Sequence, residues 1–137
     1  MDETTIVKCI TSMFRDSDVV SAGSGTFFSC DAERHWPNFA TLVTTDEYDD
    51  ASNLSRPGVY RLNIGVSKGT FNSLFAPESK HDFTALDRLT PYPVYARQHW
   101  VSILNPSDAR FEAFVNPLLA EAHELVATRF KKRAERR

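Results

Sequence analysis

Residues 59–66 read VYRLNIGV, and their alternation decides the fold. Successive side chains of an extended chain point to opposite sides, so Tyr60, Leu62, Ile64 and Val66 fall on one face and Val59, Arg61, Asn63 and Gly65 on the other. One face is wholly apolar; the other carries a cation and an amide. That pattern belongs to an antiparallel sheet packed on a core on one side only. Immediately upstream, residues 44–58 read TTDEYDDASNLSRPG, a loop crowded by Asp46, Glu47, Asp49 and Asp50 and turned by Arg56-Pro57-Gly58. Few surface loops set so many polar residues beside so regular a strand, and a site is expected there. Downstream, Ser67 is placed to cap a helix, Val66 and Phe71 to close a hydrophobic staple, and Pro77 to end it.

The remaining elements follow the same rules. Residues 2–14 have the helical period, with Ile6, Ile10, Met13 and Phe14 on one face and acids at the start. Strands at 19–22 and 26–30 flank Gly23-Ser24-Gly25, a hairpin signal, and residues 39–44 form a third strand after a loop at 33–37. Residues 82–89 suit a helical turn. The segment Thr90-Pro91-Tyr92-Pro93 must be extended, since each proline pushes its predecessor out of the helical region. Residues 100–104 form another strand, and Asn105-Pro106 starts a final helical region. Within that region Pro117 predicts a break or kink, because proline costs about 3 kcal/mol inside a helix. Trp100 is expected in the core, between the sheet and the last helix. The order α-β-β-β-β-α-β-α implies an α+β fold: an antiparallel sheet of about five strands with helices packed on one face. One domain spans residues 1–130, followed by a basic tail at 131–137.

Composition bounds the function. The chain has 137 residues, 42% hydrophobic and 25% charged, near the globular average, with ten Phe, four Tyr and two Trp for the core. No apolar run approaches a membrane span, and the start MDETTIVKC lacks the features of a signal peptide, so a cytoplasmic location is expected. Cys9 and Cys30 have neither metal nor redox spacing and read as reduced, mostly buried thiols. Net charge is −2, with residues 1–66 at −5 and residues 67–137 at +3. Six of the last nine residues are Lys or Arg, which suit the negative end of a C-terminal helix better than a nucleic-acid arm in an acidic protein.

The chemistry-bearing motifs exclude more than they assign. No G-x-S-x-G elbow, P-loop or dinucleotide fingerprint is present, and the histidines could join a triad only through the fold. The acidic loop matches no EF-hand, and its acids suit turn capping and pairing with Arg56 and Arg61 better than a metal. No metal or cofactor is expected. A nucleic-acid surface would draw on Arg56, Arg61, Arg88, Arg97 and the tail, with Tyr92, Tyr95 and Trp100 for stacking. A small-molecule pocket fits the residues best, drawing on Asp46, Tyr48, Asp49, Asn53, Arg56, Arg61, Asn63, His81, Tyr92, Tyr95 and His99. In it Arg61 either clamps a carboxylate or phosphate or merely neutralises a neighbouring acid. The expected function is a binding module for a small polar or anionic molecule. DNA binding is the rival, and a small enzyme of unknown reaction stands third.

The stretch FATLVTTDEYDDASNLSRPGVYRLNIGVSKGTF, followed by HDFTALDRLTPYPVYARQHWVSILNPS, closely resembles an uncharacterised bacterial family found mainly in actinobacteria and catalogued as a domain of unknown function. The similarity covers about residues 1–130 and brings no activity with it. A weaker similarity runs to the MmcQ/YjbR family. Pro93-Val94-Tyr95, His99-Trp100-Val101 and Glu121-Ala122-His123-Glu124-Leu125-Val126 stand where that family has a P-x-Y segment, a tryptophan-bearing strand and a final helix. This resemblance implies a compact α/β sandwich with an antiparallel sheet and a suggested DNA-binding role. The acidic loop and net negative charge depart from it.

Overall fold

The computed structural model describes residues 1–30 and 37–135, with the side chains of the last helix as far as Arg129. Strands β1 (Asp18–Ala22), β2 (Gly25–Ser29), β3 (Asn38–Val43), β4 (Arg61–Gly65), β5 (Thr90–Pro91) and β6 (Trp100–Leu104) form one sheet in the order β1-β2-β3-β4-β6-β5, each pair antiparallel. The helices are α1 (Glu3–Met13), α2 (Lys68–Leu74), the short α3 (Asp108–Arg110) and the long α4 (Asn116–Glu135). This is the α+β fold expected, its sixth strand being the two-residue extended segment Thr90–Pro91. The loop expected at 33–37 falls outside the described residues except for Pro37, as do the basic side chains beyond Arg129.

Local chemistry accounts for the elements. Asp2 caps α1 by accepting from the Thr5 N–H at 2.8 Å. Ser67 caps α2 through the Thr70 N–H at 3.1 Å. The β1–β2 hairpin turns at Gly23, where φ of +60° suits a residue without a Cβ. Near Pro117 the chain does not break. Residues Phe111–Val115 form a π-helical turn instead, closed by the Asn116 N–H on the Phe111 carbonyl, five residues back. The wider turn makes room ahead of the proline ring, and the helix continues.

The core lies between α1, α4 and one face of the sheet. Ile6 and Ile10 of α1 and Leu119 and Ala122 of α4 meet Leu42, Leu62, Ile64, Val101 and Ile103. A register shift between Phe28 and Ser29 pairs Phe28 with Ala40 but Ser29 with Asn38, leaving Phe39 as an extra residue. Such a bulge lets two successive side chains share a face. Phe39 therefore joins the core, edge-on to Phe14 at 5.2 Å, and Asn38 is delivered to the opposite face.

Two expectations are corrected. Trp100 does not lie between the sheet and the last helix. It pairs with Gly65 at the start of β6, while Val101 and Ile103 take the helix side, so alternation sends Trp100 to the other face, where it is only half-buried. That other face is not open either. The loop at residues 44–58 folds back over it, and its Leu54 packs on Val43, Leu104 and Val59. Arg61 and Asn63 are consequently 0% exposed.

Candidate functional site

The far side of the sheet is only partly roofed, and the uncovered part is a cleft of about 840 Å³. It runs from Tyr48 and Asp49 of the acidic loop, across Thr41 of β3, to Ser67, Lys68 and the second half of α4.

One end rests on a buried polar network. Arg61 donates to both Asp49 oxygens, Nη1 to Oδ1 at 2.9 Å and Nη2 to Oδ2 at 2.6 Å. Its Nη1 also donates to Ser52 Oγ at 3.0 Å, and its Nε to Asn63 Oδ1 at 3.0 Å. The same Asn63 oxygen accepts from the Ser102 hydroxyl at 2.7 Å, and Asn63 Nδ2 donates to Thr41 Oγ1 at 3.0 Å. The Tyr92 ring lies 4.8 Å from the guanidinium carbon. Four of the five Arg61 N–H groups are thus satisfied from within the protein. Of the two roles open to it in sequence, the structure displays the pairing with an acid, and only Asp49 of that pair reaches the cleft.

The electrostatics follow. Hydrogen bonding from Arg61 holds the Asp49 carboxyl below its ordinary value of 3.8, outweighing the burial that would raise it. Burial pulls Arg61 downward, but the hydrogen bonds and charge of Asp49 reverse this and leave it raised. Burial pushes the Tyr92 phenol up, offset in part by the Arg61 charge. The depressed Asp49 value has a consequence for stability. Between the folded and unfolded values the unfolded chain binds more protons, so the stabilisation is complete above the unfolded value, near 3.9, and is lost as pH falls through the folded one. Asp49→Asn is expected to unfold more easily than wild type at neutral pH, with the difference shrinking below about pH 4. Urea melts across that range check it; a difference that stays constant into acid would contradict the pairing.

The cleft wall is aromatic. Tyr92 stands edge-on to Tyr95 at 5.2 Å and to Trp100 at 6.4 Å between ring centroids. Trp100 lies directly on the Gly65 backbone, where a Cβ would stand 2.8 Å from the indole Cε2. Glycine at this place is what lets the indole lie down against the sheet. The left-handed turn at His99 (φ +65°) feeds the chain into β6, and the His99 carbonyl accepts from the Val66 N–H at 3.1 Å.

The expected site residues divide into three groups. Tyr48, Asp49, Tyr92, Tyr95 and His99 line the cleft. Arg61 and Asn63 stand behind Asp49 and do not reach it. Asp46, Asn53, Arg56 and His81 lie elsewhere: Asp46 accepts from the Leu54 N–H at 2.8 Å, and Asn53 sits in a left-handed turn bonded to Ser55. Among the described residues Arg56 pairs with no acid; it donates to the carbonyls of Ser52, Asn53 and Thr84, pinning the loop. His81 is bonded to Ser79 and lies edge-on to Phe75. Sequence reasoning missed Asn38, Lys68, Gln98 and Arg129, which carry no local motif and meet only through the fold. Among the described residues no three His, Cys, Asp or Glu side chains group as metal ligands, and no helix is long and apolar enough to cross a membrane.

An α+β sheet with a partly roofed, aromatic-walled cleft is therefore the frame. The chain belongs to the Family of unknown function (DUF6194), whose model matches residues 1–135. Comparison with curated proteins gives no match, and comparison with solved structures gives none either.

Proposed function

We propose that this protein is a binding module for a small polar or anionic molecule, held in the cleft between the acidic loop and the start of α2. The observation that carries this reading is the cleft itself. At about 840 Å³ it falls in the range of small-molecule sites, with aromatic walls and a few polar groups fixed from behind. Arg61 serves this site by holding Asp49 in one orientation, as a rigid support for a group that faces the ligand. The proposed setting is the cytoplasm, as the lack of any cysteine spacing for a disulfide framework suggests.

A thermal-shift screen of polar and anionic metabolites tests the proposal, with Tyr95→Ala as the control. Tyr95 is 50% exposed, so its loss should leave the unbound protein nearly as stable while removing the shift. A screen in which no compound raises the melting temperature, or a hit that shifts the variant equally, would refute the site.

The rival reading, DNA binding, draws on the MmcQ/YjbR resemblance and the basic end of the chain. The concave shape of the cleft and the overall charge of −2 favour a small ligand over a duplex. Duplex DNA is expected to bind no more tightly than ~10 μM at physiological salt, the weak non-specific regime. Sequence-dependent retention of a duplex in that buffer would reverse the ranking.

A further inference from the structure

Among the described residues, three charged side chains apart from histidine line the cleft: Asp49, Lys68 and Arg129. Asp49 is already neutralised by the two-pronged contact with Arg61. Lys68 and Arg129 are both exposed and have no ion-pair partner among the described residues. The acid that joins their two helices, Glu121, is not among the residues that line the cleft; it accepts from the Ser67 N–H and from the Ser67 and Thr70 hydroxyls. Among the described residues that line the cleft, the uncompensated charge is therefore positive, in a protein whose net charge is negative.

Two further observations limit what an anionic ligand must look like. The wall of the same cleft presents flat rings, Trp100 laid on Gly65 and Tyr95 half exposed, and such faces hold planar rings by stacking. The volume is far more than an inorganic anion fills. On the same cleft, Asn38 Oδ1 is buried with no hydrogen-bond partner among the described residues. A buried acceptor left unpaired is costly, and turning this half-buried amide into the cleft would let a ligand N–H or O–H satisfy it.

We infer, building on the small-ligand reading above, that the ligand is a planar heteroaromatic anion. Its ring lies against Trp100 and Tyr95, a donor on its edge meets Asn38, and its phosphate or carboxylate sits between Lys68 and Arg129. A nucleotide and an aromatic carboxylate share this chemistry, and the test separates them.

Calorimetric titration of the full chain would use four probes: guanosine monophosphate, guanosine, ribose 5-phosphate and indole-3-acetate. At least one of the two ring-bearing anions should bind about tenfold or more tighter than either the neutral nucleoside or the sugar phosphate, since stacking and charge each contribute at that level. Tight binding by guanosine monophosphate alone identifies a nucleotide site, and by indole-3-acetate alone an aromatic carboxylate site. The double variant Lys68→Gln/Arg129→Gln, altered only at exposed positions, should lose about tenfold or more for the ring-bearing anion. It should bind guanosine as wild type does. Asn38→Leu should weaken guanosine and guanosine monophosphate together. Ribose 5-phosphate binding as tightly as guanosine monophosphate would overturn the ring and leave the broader small-ligand reading standing. Guanosine binding as tightly would overturn the anion site with the same result. No binding by any of the four overturns this inference, while the broader reading falls only if the metabolite screen is also blank.

Discussion

Arg61→Ala is expected to lower the free energy of unfolding by about 3–5 kcal/mol, the cost of breaking a buried ion pair from one side. Arg61 is 0% exposed, and the Asp49 side chain it holds is 14% exposed. Truncation would strand a mostly buried carboxylate and leave Ser52 Oγ without its donor from Arg61. Asn63 Oδ1 would keep only the Ser102 hydroxyl. The Tyr92 ring would lose the cation beneath it. Arg61→Lys keeps the charge but cannot serve Asp49, Ser52 and Asn63 in one plane, and should cost about 1–3 kcal/mol. A further comparison isolates the unpaired charge. Arg61→Met with Asp49→Leu, which removes both partners in favour of apolar groups, should be more stable than Arg61→Met alone. Equilibrium urea unfolding measures all four chains. A loss below about 1 kcal/mol in Arg61→Ala would mean that water enters and solvates Asp49, as at an exposed pair.

The neighbouring residue faces the other way and should be as sensitive for a different reason. Leu62 is 0% exposed and sits on the helix side of β4, flanked by Leu42 of β3 and Ile103 of β6. Leu62→Ala removes packed methyl groups at the centre of a six-stranded sheet, where neighbours on both sides are held by strand pairing and cannot collapse inward. The expected cost is about 2–5 kcal/mol, transfer and cavity together. Trp100→Ala should cost less than Leu62→Ala despite the larger side chain, because the indole is half-buried on the cleft face and solvent can take its place. The order of the two midpoints in the same denaturant series checks the assignment of faces. Trp100→Ala unfolding first by a wide margin would put the tryptophan back in the core.

The alternation at residues 59–66 was enough to place one apolar and one polar face on β4, and with the helical periods at the two ends it implied the α+β sheet that is observed. Those are local properties: side-chain period and capping residues such as Asp2 and Ser67 act within a few residues, and so they are legible along the chain. The nearness of the acidic loop to Arg61 was legible too, since unlike charges twelve residues apart across a turn had good reason to meet. What the far face does was decided only by the tertiary structure. Leu54 gives the loop an apolar foothold on Val43 and Leu104, and this buries Arg61, which alternation alone would leave in water. The bulge at Phe39 reverses the facing of Asn38, and no residue type announces it. Trp100 looked like core because tryptophan usually is; its face was set by its register against Gly65, a long-range fact of strand pairing. Lys68 and Arg129 stand on the same cleft because α4 crosses the start of α2 through Glu121 and Ser67, a contact between residues 54 apart. Period and caps lie in the sequence because they depend on neighbours in the chain; the cleft does not, because every wall of it comes from a different part of the chain.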